Sequence, residues 1–166
     1  MRLPHPYVMP GLSNYSVKAS KIVETFRGFY PITPEPIQGC SLISELVFEK
    51  EYHELVLRNR KRELVFPRQV GMFLLFLSGI SFAVAGAHYS RDHATAMHGK
   101  GKCLNVLETK YPKDDYNNLT LALRVFSILY PKCSLSSLPR GWDNTHQRIC
   151  EPQHRLRESV KTVSSL

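Results

Sequence analysis

The residues best suited to chemistry lie in one short run, Arg91-Asp92-His93-Ala94-Thr95-Ala96-Met97-His98. It places a guanidinium, a carboxylate, an imidazole and a hydroxyl within two turns of a candidate helix. That set of donors and acceptors suits base edges in a DNA major groove. Ser90 is the expected N-cap, and Asp92 falls in the first turn, where the helix dipole favours a carboxylate. Other chemistries fit less well. His88, His93 and His98 recur every five residues. Five helical residues turn through about 500°, so these histidines share no face, and a zinc helix wants i and i+4. Gly99-Lys100-Gly101-Lys102-Cys103 has the outline of the end of a phosphate loop. However, Ala94 and Ala96 occupy the candidate positions of its first glycine, and no Ser or Thr follows the lysine. No nucleophile–base set stands out. The expectation is a non-enzyme that needs neither metal nor cofactor.

Composition narrows the partner. The chain has 166 residues, enough for one domain with a core and some appended segments. A formal charge of +8 and a pI near 9.5 suit a polyanion, which by charge alone is either nucleic acid or an acidic membrane. Cys40, Cys103, Cys133 and Cys150 form no Cys-x-x-Cys pair, so a metal ribbon or redox motif is not indicated. Met1-Arg2-Leu3-Pro4-His5-Pro6 lacks the apolar core of a secretory signal, and a cytoplasmic location is expected.

The elements that would position the run can be read in chain order. Residues 1–15 are rich in Pro and Gly and read as a flexible arm. Ile22, Val23, Phe26 and Tyr30 fall at helical spacing, predicting a helix over about 17–27 that Gly28 stops. Thr33-Pro34-Glu35-Pro36 reads as a turn or extended link. Leu46, Val47, Tyr52, Leu55 and Val56 predict a second amphipathic helix over 44–57. Four basic side chains then crowd into Arg58-Asn59-Arg60-Lys61-Arg62. Pro67 is expected in the first turn of a helix that Gly79 ends. Ser81 caps a short helix, His88-Tyr89-Ser90 makes a turn, and the next helix runs from there to about Val106 or Leu107. A final helix is predicted over Asn117–Tyr130, capped by Asp114 or Asp115 and stopped by Pro131. The remainder, 131–166, reads as an irregular extension with a short basic helix near Arg155–Val163.

Three blocks in this order carry a resemblance. Arg91-Asp92-His93-Ala94-Thr95 with His98 resembles the Arg-Asp-His-Thr-Thr…His signature of the C-terminal DNA-binding domain of the bacterial replication initiator DnaA. Arg58–Arg62, followed by Pro67-Arg68-Gln69-Val70-Gly71-Met72-Phe73-Leu74, is similar to that family's basic loop and the helix after it. Ser81-Phe82-Ala83-Val84-Ala85-Gly86 resembles the short helix between. The firm match runs from about Arg58 to Lys102. The resemblance implies an all-α, Trp-repressor-like helical bundle with a helix-turn-helix over about 16–130. On this reading residues 38–57 are expected to form an insertion, and no ATPase module is expected ahead of the firm match, which 57 residues precede.

Site roles follow from the same likeness. Arg60, with Arg62 next in line, is implied in the minor groove. Arg91, Asp92, His93, Ala94 and Thr95 are implied at base edges of the major groove. Arg68, Gln69, His98 and Lys102 are implied on phosphates. Ala94 stands where the signature has a threonine, which suggests drift from the family's DNA site. The implied partner is double-stranded DNA, in replication initiation or its regulation, and the insertion and tail are surfaces for replication proteins. A transcriptional regulator with the same domain is the second reading. The third is a small membrane protein spanning at Val70–Ala87, eighteen residues without a charge. The cluster Ser78, Gly79 and Ser81 inside that segment argues for a helix break instead. On this reading Phe76 and Leu77 pack under the inserted helix.

Overall fold

The computed structural model describes residues 12–142, with the backbone alone given for 12–16. These residues form an all-α bundle of seven helices. The helices are α1 (Leu12–Phe29), α2 (Pro36–Phe48), α3 (Tyr52–Val56), α4 (Arg62–Leu77), α5 (Phe82–His88), α6 (His93–Thr109) and α7 (Lys113–Leu129). No strand occurs among the described residues.

The composition of α4 dictates the architecture. From Leu64 to Leu77 every residue is buried except Val65 and Phe76, which are half-buried. A helix that is apolar on every side must be covered on every side, and α2, α3, α5, α6 and α7 all pack on it. The α1 and α7 pair closes the far side, with Ala19, Val23 and Phe26 of α1 buried at helical spacing. Phe48 and Phe66 meet edge to face at 5.8 Å where α2 crosses α4.

Several element boundaries differ from the sequence expectations, for local reasons. α1 starts at Leu12, inside the expected arm, and passes through Gly28; positions 1–11 lie outside the described residues. The expected helix over 44–57 is two helices. α2 starts earlier, at Pro36, whose ring is preset for the first helical position. It stops at Glu49, which adopts a left-handed φ of 55°. α3 restarts under a capping box in which Glu51 and Glu54 exchange backbone and side-chain bonds. α4 begins at Arg62 rather than near Pro67, which sits inside the helix. Glu63, whose carbonyl a residue at 67 would normally bond, is exposed, so the missing N–H strands nothing in the core. α7 begins at Lys113 after Pro112 as N-cap, ahead of both expected caps. The expected basic helix near Arg155–Val163 and Cys150 lie outside the described residues.

The uncharged segment 70–87 is broken as its serines and glycine suggested. Ser78 ends α4, Gly79 takes φ 92°, and the Ser81 side chain accepts from the Val84 amide to cap α5. No helix among the described residues is long and apolar enough to cross a membrane. Leu77 is buried, and Phe76 is half-buried. It stacks on Phe82 of α5 at 4.8 Å and 3°, with the Lys100 ammonium 4.4 Å above it. Residues 131–142 are irregular, and Leu138 tucks into the core.

Two glycines give opposite expectations. At Gly71 of α4, an added Cβ would land on the buried Tyr89 hydroxyl, so Gly71→Ala should lower stability by about 1–3 kcal/mol through overpacking. At Gly101 of α6 nothing lies within 4 Å, so Gly101→Ala should raise stability by about 0.5–1 kcal/mol. Urea unfolding midpoints of the two variants measure both effects.

Candidate nucleic-acid interface

α5 and α6 form a helix-turn-helix, and one glycine sets how tight it is. An added Cβ at Gly86 would stand 2.5 Å from the Asp92 carbonyl, so only glycine lets the end of α5 lie against the start of α6. The Gly86 carbonyl also accepts from the Tyr89 and Arg91 amides, at 3.0 and 2.8 Å. Tyr89 is fully buried between the helices and anchors the turn on α4. Ser90, expected as the N-cap, instead sits in the turn with φ 56°. Asp92 is the cap, its carboxylate accepting from the Thr95 amide at 2.8 Å. Hydrogen bonds from the Thr95 hydroxyl and amide hold the Asp92 carboxyl below its usual range, so it is ionised at neutral pH. The carboxylate is exposed and keeps further acceptor capacity. His93 and Ala94 are exposed on the outer side of the first turn, Met97 is half-exposed beyond them, and Thr95 is half-buried.

α3 braces this turn from the other side. The Tyr52 hydroxyl donates to the His88 carbonyl, and its ring lies 5.1 Å from His88 and 5.9 Å from Tyr89. Burial pushes the His88 imidazole below its usual range, and its Nε2 is enclosed without a hydrogen-bond partner. No cluster of His, Cys, Asp or Glu suited to a metal ion occurs among the described residues.

The basic run is a loop between α3 and α4 and borders two grooves. One, of about 490 Å³, is walled by Arg58, Asn59, Arg60 and Arg68 on one side and by Ser90, Arg91, Asp92 and Thr95 on the other. The second, of about 750 Å³, runs between the start of α4 and the outer length of α6. Arg60, Arg62, Gln69, His98 and Lys102 line it, together with Asn105, Thr109, Tyr111 and Asp115. Arg60 borders both grooves. The fold thus draws nine of the eleven residues singled out from sequence into two adjoining clefts. The other two, His93 and Ala94, stand exposed on the helix between solvent and those clefts.

Their availability differs from expectation in four places. Arg68, implied on phosphates, is 5% exposed. Its Nε donates to the Leu55 carbonyl at 2.5 Å, and its Nη2 to those of Leu57 and Asn59 at 3.2 and 3.3 Å. Gln69 is also buried, packed where Gly99 of α6 crosses α4. Arg91, implied at a base edge, turns inward, with Nη2 donating to the Leu57 carbonyl at 2.7 Å and Nη1 to the Ser90 carbonyl at 2.9 Å. Arg62 pairs with Asp115 at 3.0 Å. Arg68, Gln69 and Arg91 lie where α4 or the turn is covered by another element, so packing and internal acceptors claim them. Arg62 is engaged only by a surface ion pair and, like Arg58, Arg60, His98 and Lys102, remains exposed. Sequence reasoning overlooked Asp115 as a counter-charge because its position suggested a helix cap; the ion pair joins residues 53 apart.

No protein-family model matches the chain, and no solved structure matches it. A stretch of 75 residues is 35% identical to the chromosomal replication initiator protein DnaA of Oenococcus oeni (strain ATCC BAA-331 / PSU-1), covering 43% of this chain. The chain spans 17% of the length of that relative. Part of this protein is therefore similar to DnaA, and its all-helical architecture is compatible with the resemblance noted in its motifs.

Arg68 supplies the test of this internal wiring. Arg68→Met keeps the apolar stem but leaves the Leu55 carbonyl without its buried donor, at a cost of about 1–3 kcal/mol for such a group. The urea midpoint should fall accordingly, and an unchanged midpoint would show that water replaces the guanidinium at no cost.

Proposed function

We propose that this protein binds double-stranded DNA with sequence preference, α6 entering the major groove and the basic loop the adjacent minor groove. On this reading it acts in replication initiation or its regulation. The observation that carries the reading is the placement of Arg60. It borders both the cleft that leads to Asp92 and Thr95 and the groove that leads to His98 and Lys102. A loop arginine beside the start of a helix with exposed polar residues is the arrangement that two-groove reading requires. The likeness to a replication initiator over part of the chain supports the same direction.

The division of labour follows from exposure. His93 and Ala94 meet base edges, the methyl of Ala94 suiting a thymine methyl. The exposed Asp92 carboxylate accepts from a base amino group such as that of cytosine. Arg60 enters the minor groove, where a narrow groove concentrates negative potential. His98 and Lys102 contact phosphate, which gives affinity without sequence. Arg68 and Gln69 contribute from inside the fold rather than by touching DNA.

Fluorescence anisotropy on a labelled duplex carrying a DnaA-type box, beside a scrambled duplex, tests this. The box should bind more tightly, and Arg60→Ala and His93→Ala should each weaken it by about 1–3 kcal/mol while narrowing the preference. Asp115→Asn should free Arg62 and steepen the salt dependence of log affinity by about 0.9, the increment for one more phosphate contact. Equal affinity for both duplexes, unchanged by His93→Ala, would overturn sequence recognition.

A further inference from the structure

We infer that Arg68 and Arg91 are positioning residues, a pair of guanidinium groups that clamps the basic loop to the helix-turn-helix turn and so sets where Arg60 stands relative to α6. This rests on the two-groove reading for its consequence, though not for its geometry.

The Leu57 carbonyl is the junction. It accepts from Arg68 Nη2 at 3.2 Å, from Arg91 Nη2 at 2.7 Å and from the Asn59 amide at 2.8 Å. Arg68 comes from α4 and Arg91 from the turn before α6, so one loop oxygen ties together both helices of the candidate reading surface. The neighbouring loop groups are claimed in the same way. The Asn59 carbonyl accepts from Arg68, the Val56 carbonyl from Arg91 at 3.4 Å, and the Asn59 side chain takes the Lys61 amide at 2.9 Å.

The charge arrangement is unusual for a structural contact. Two guanidinium groups lie close enough that Arg91 lowers the Arg68 pKa, second only to the effect of burial. Neither is recorded in an ion pair among the described residues, since the two bridges found there are His53–Glu51 and Arg62–Asp115. The hydrogen-bond partners of both are backbone carbonyls: those of the last turn of α3 and the loop after it and, for Arg91, also those of Tyr89 and Ser90 in the turn. Carbonyls at a helix end lack intrahelical partners. A guanidinium suits the task because its planar fork reaches several acceptors at once. An ammonium on a flexible stem does not.

Arg91→Lys keeps the charge and loses the fork, and a readout without DNA separates the clamp from direct contact with DNA. The full chain is used, with Arg91→Met as the second variant. The first readout needs no DNA. Amide exchange at Asn59 and Lys61 should accelerate at least about tenfold, while Leu123 and Phe126 of α7 keep the parent rates, as local opening predicts. The second readout is a cycle on the preferred duplex. Arg91→Lys should weaken binding about tenfold, and Arg60→Ala should then cost less than about twofold, because contacts that share one support are not additive. Unchanged loop exchange in both variants overturns the clamp. So does an Arg60→Ala effect of the same size in the parent and Arg91→Lys backgrounds. If the parent shows no duplex preference, the DNA reading falls, and exchange at Asn59 and Lys61 still decides the clamp.

Discussion

The complete burial of α4 is the constraint on which the rest of the structure depends. Each large apolar side chain withdrawn from water there contributes about 1.5–3 kcal/mol, and no face of the helix is left to solvent over most of its length. The surrounding helices take their places as its cover. That cover has a polar cost, because α4 carries Arg68 and Gln69 and an interrupted backbone at Pro67. Arg68 is answered by carbonyls of α3 and the loop after it, and the Ser44 hydroxyl donates to the Pro67 carbonyl at 2.6 Å. The short helix α3, too small to be stable alone, exists because it supplies acceptors to two arginines and a tyrosine to the turn.

Net charge is therefore a poor guide to the charge a partner meets. Arg68 and Arg91 face inward, Arg62 is matched by Asp115, and Lys100 lies over the Phe76–Phe82 stack, an arrangement worth about 0.5–1 kcal/mol at an exposed site. What remains exposed near the two grooves is Arg58, Arg60, Lys61, Arg62, His98 and Lys102, with Arg62 matched by Asp115.

The helix-turn-helix was legible in the sequence because its signals are local. Ser81 caps, Gly79 stops and the spacing of apolar residues all act within one or two turns. Asp92 displaced Ser90 as cap because the turn is two residues longer than its sequence suggested, with Ser90 itself left-handed. The split of the inserted helix was harder to see. Glu49 and Glu51 look helical by type, and only the reciprocal bonds with Glu54 reveal a second start. The fate of Arg68 could not be read from its neighbours alone. Its acceptors lie 9–13 residues earlier in the chain, beyond any local pattern. Two of the arginines that the likeness implies at DNA, Arg68 and Arg91, donate to backbone carbonyls of the fold itself.

The sharing of Arg60 between two clefts bears on how a duplex would be measured. Minor and major grooves follow one another around a double helix at a fixed angular interval. A loop and a helix held by a common carbonyl span one such interval and no other. In the role proposed above, the protein would act as a caliper of helical phase as well as a reader of letters. One inserted base pair between the two contacts would then be felt as a change of twist, which no side chain could follow without letting go of Leu57.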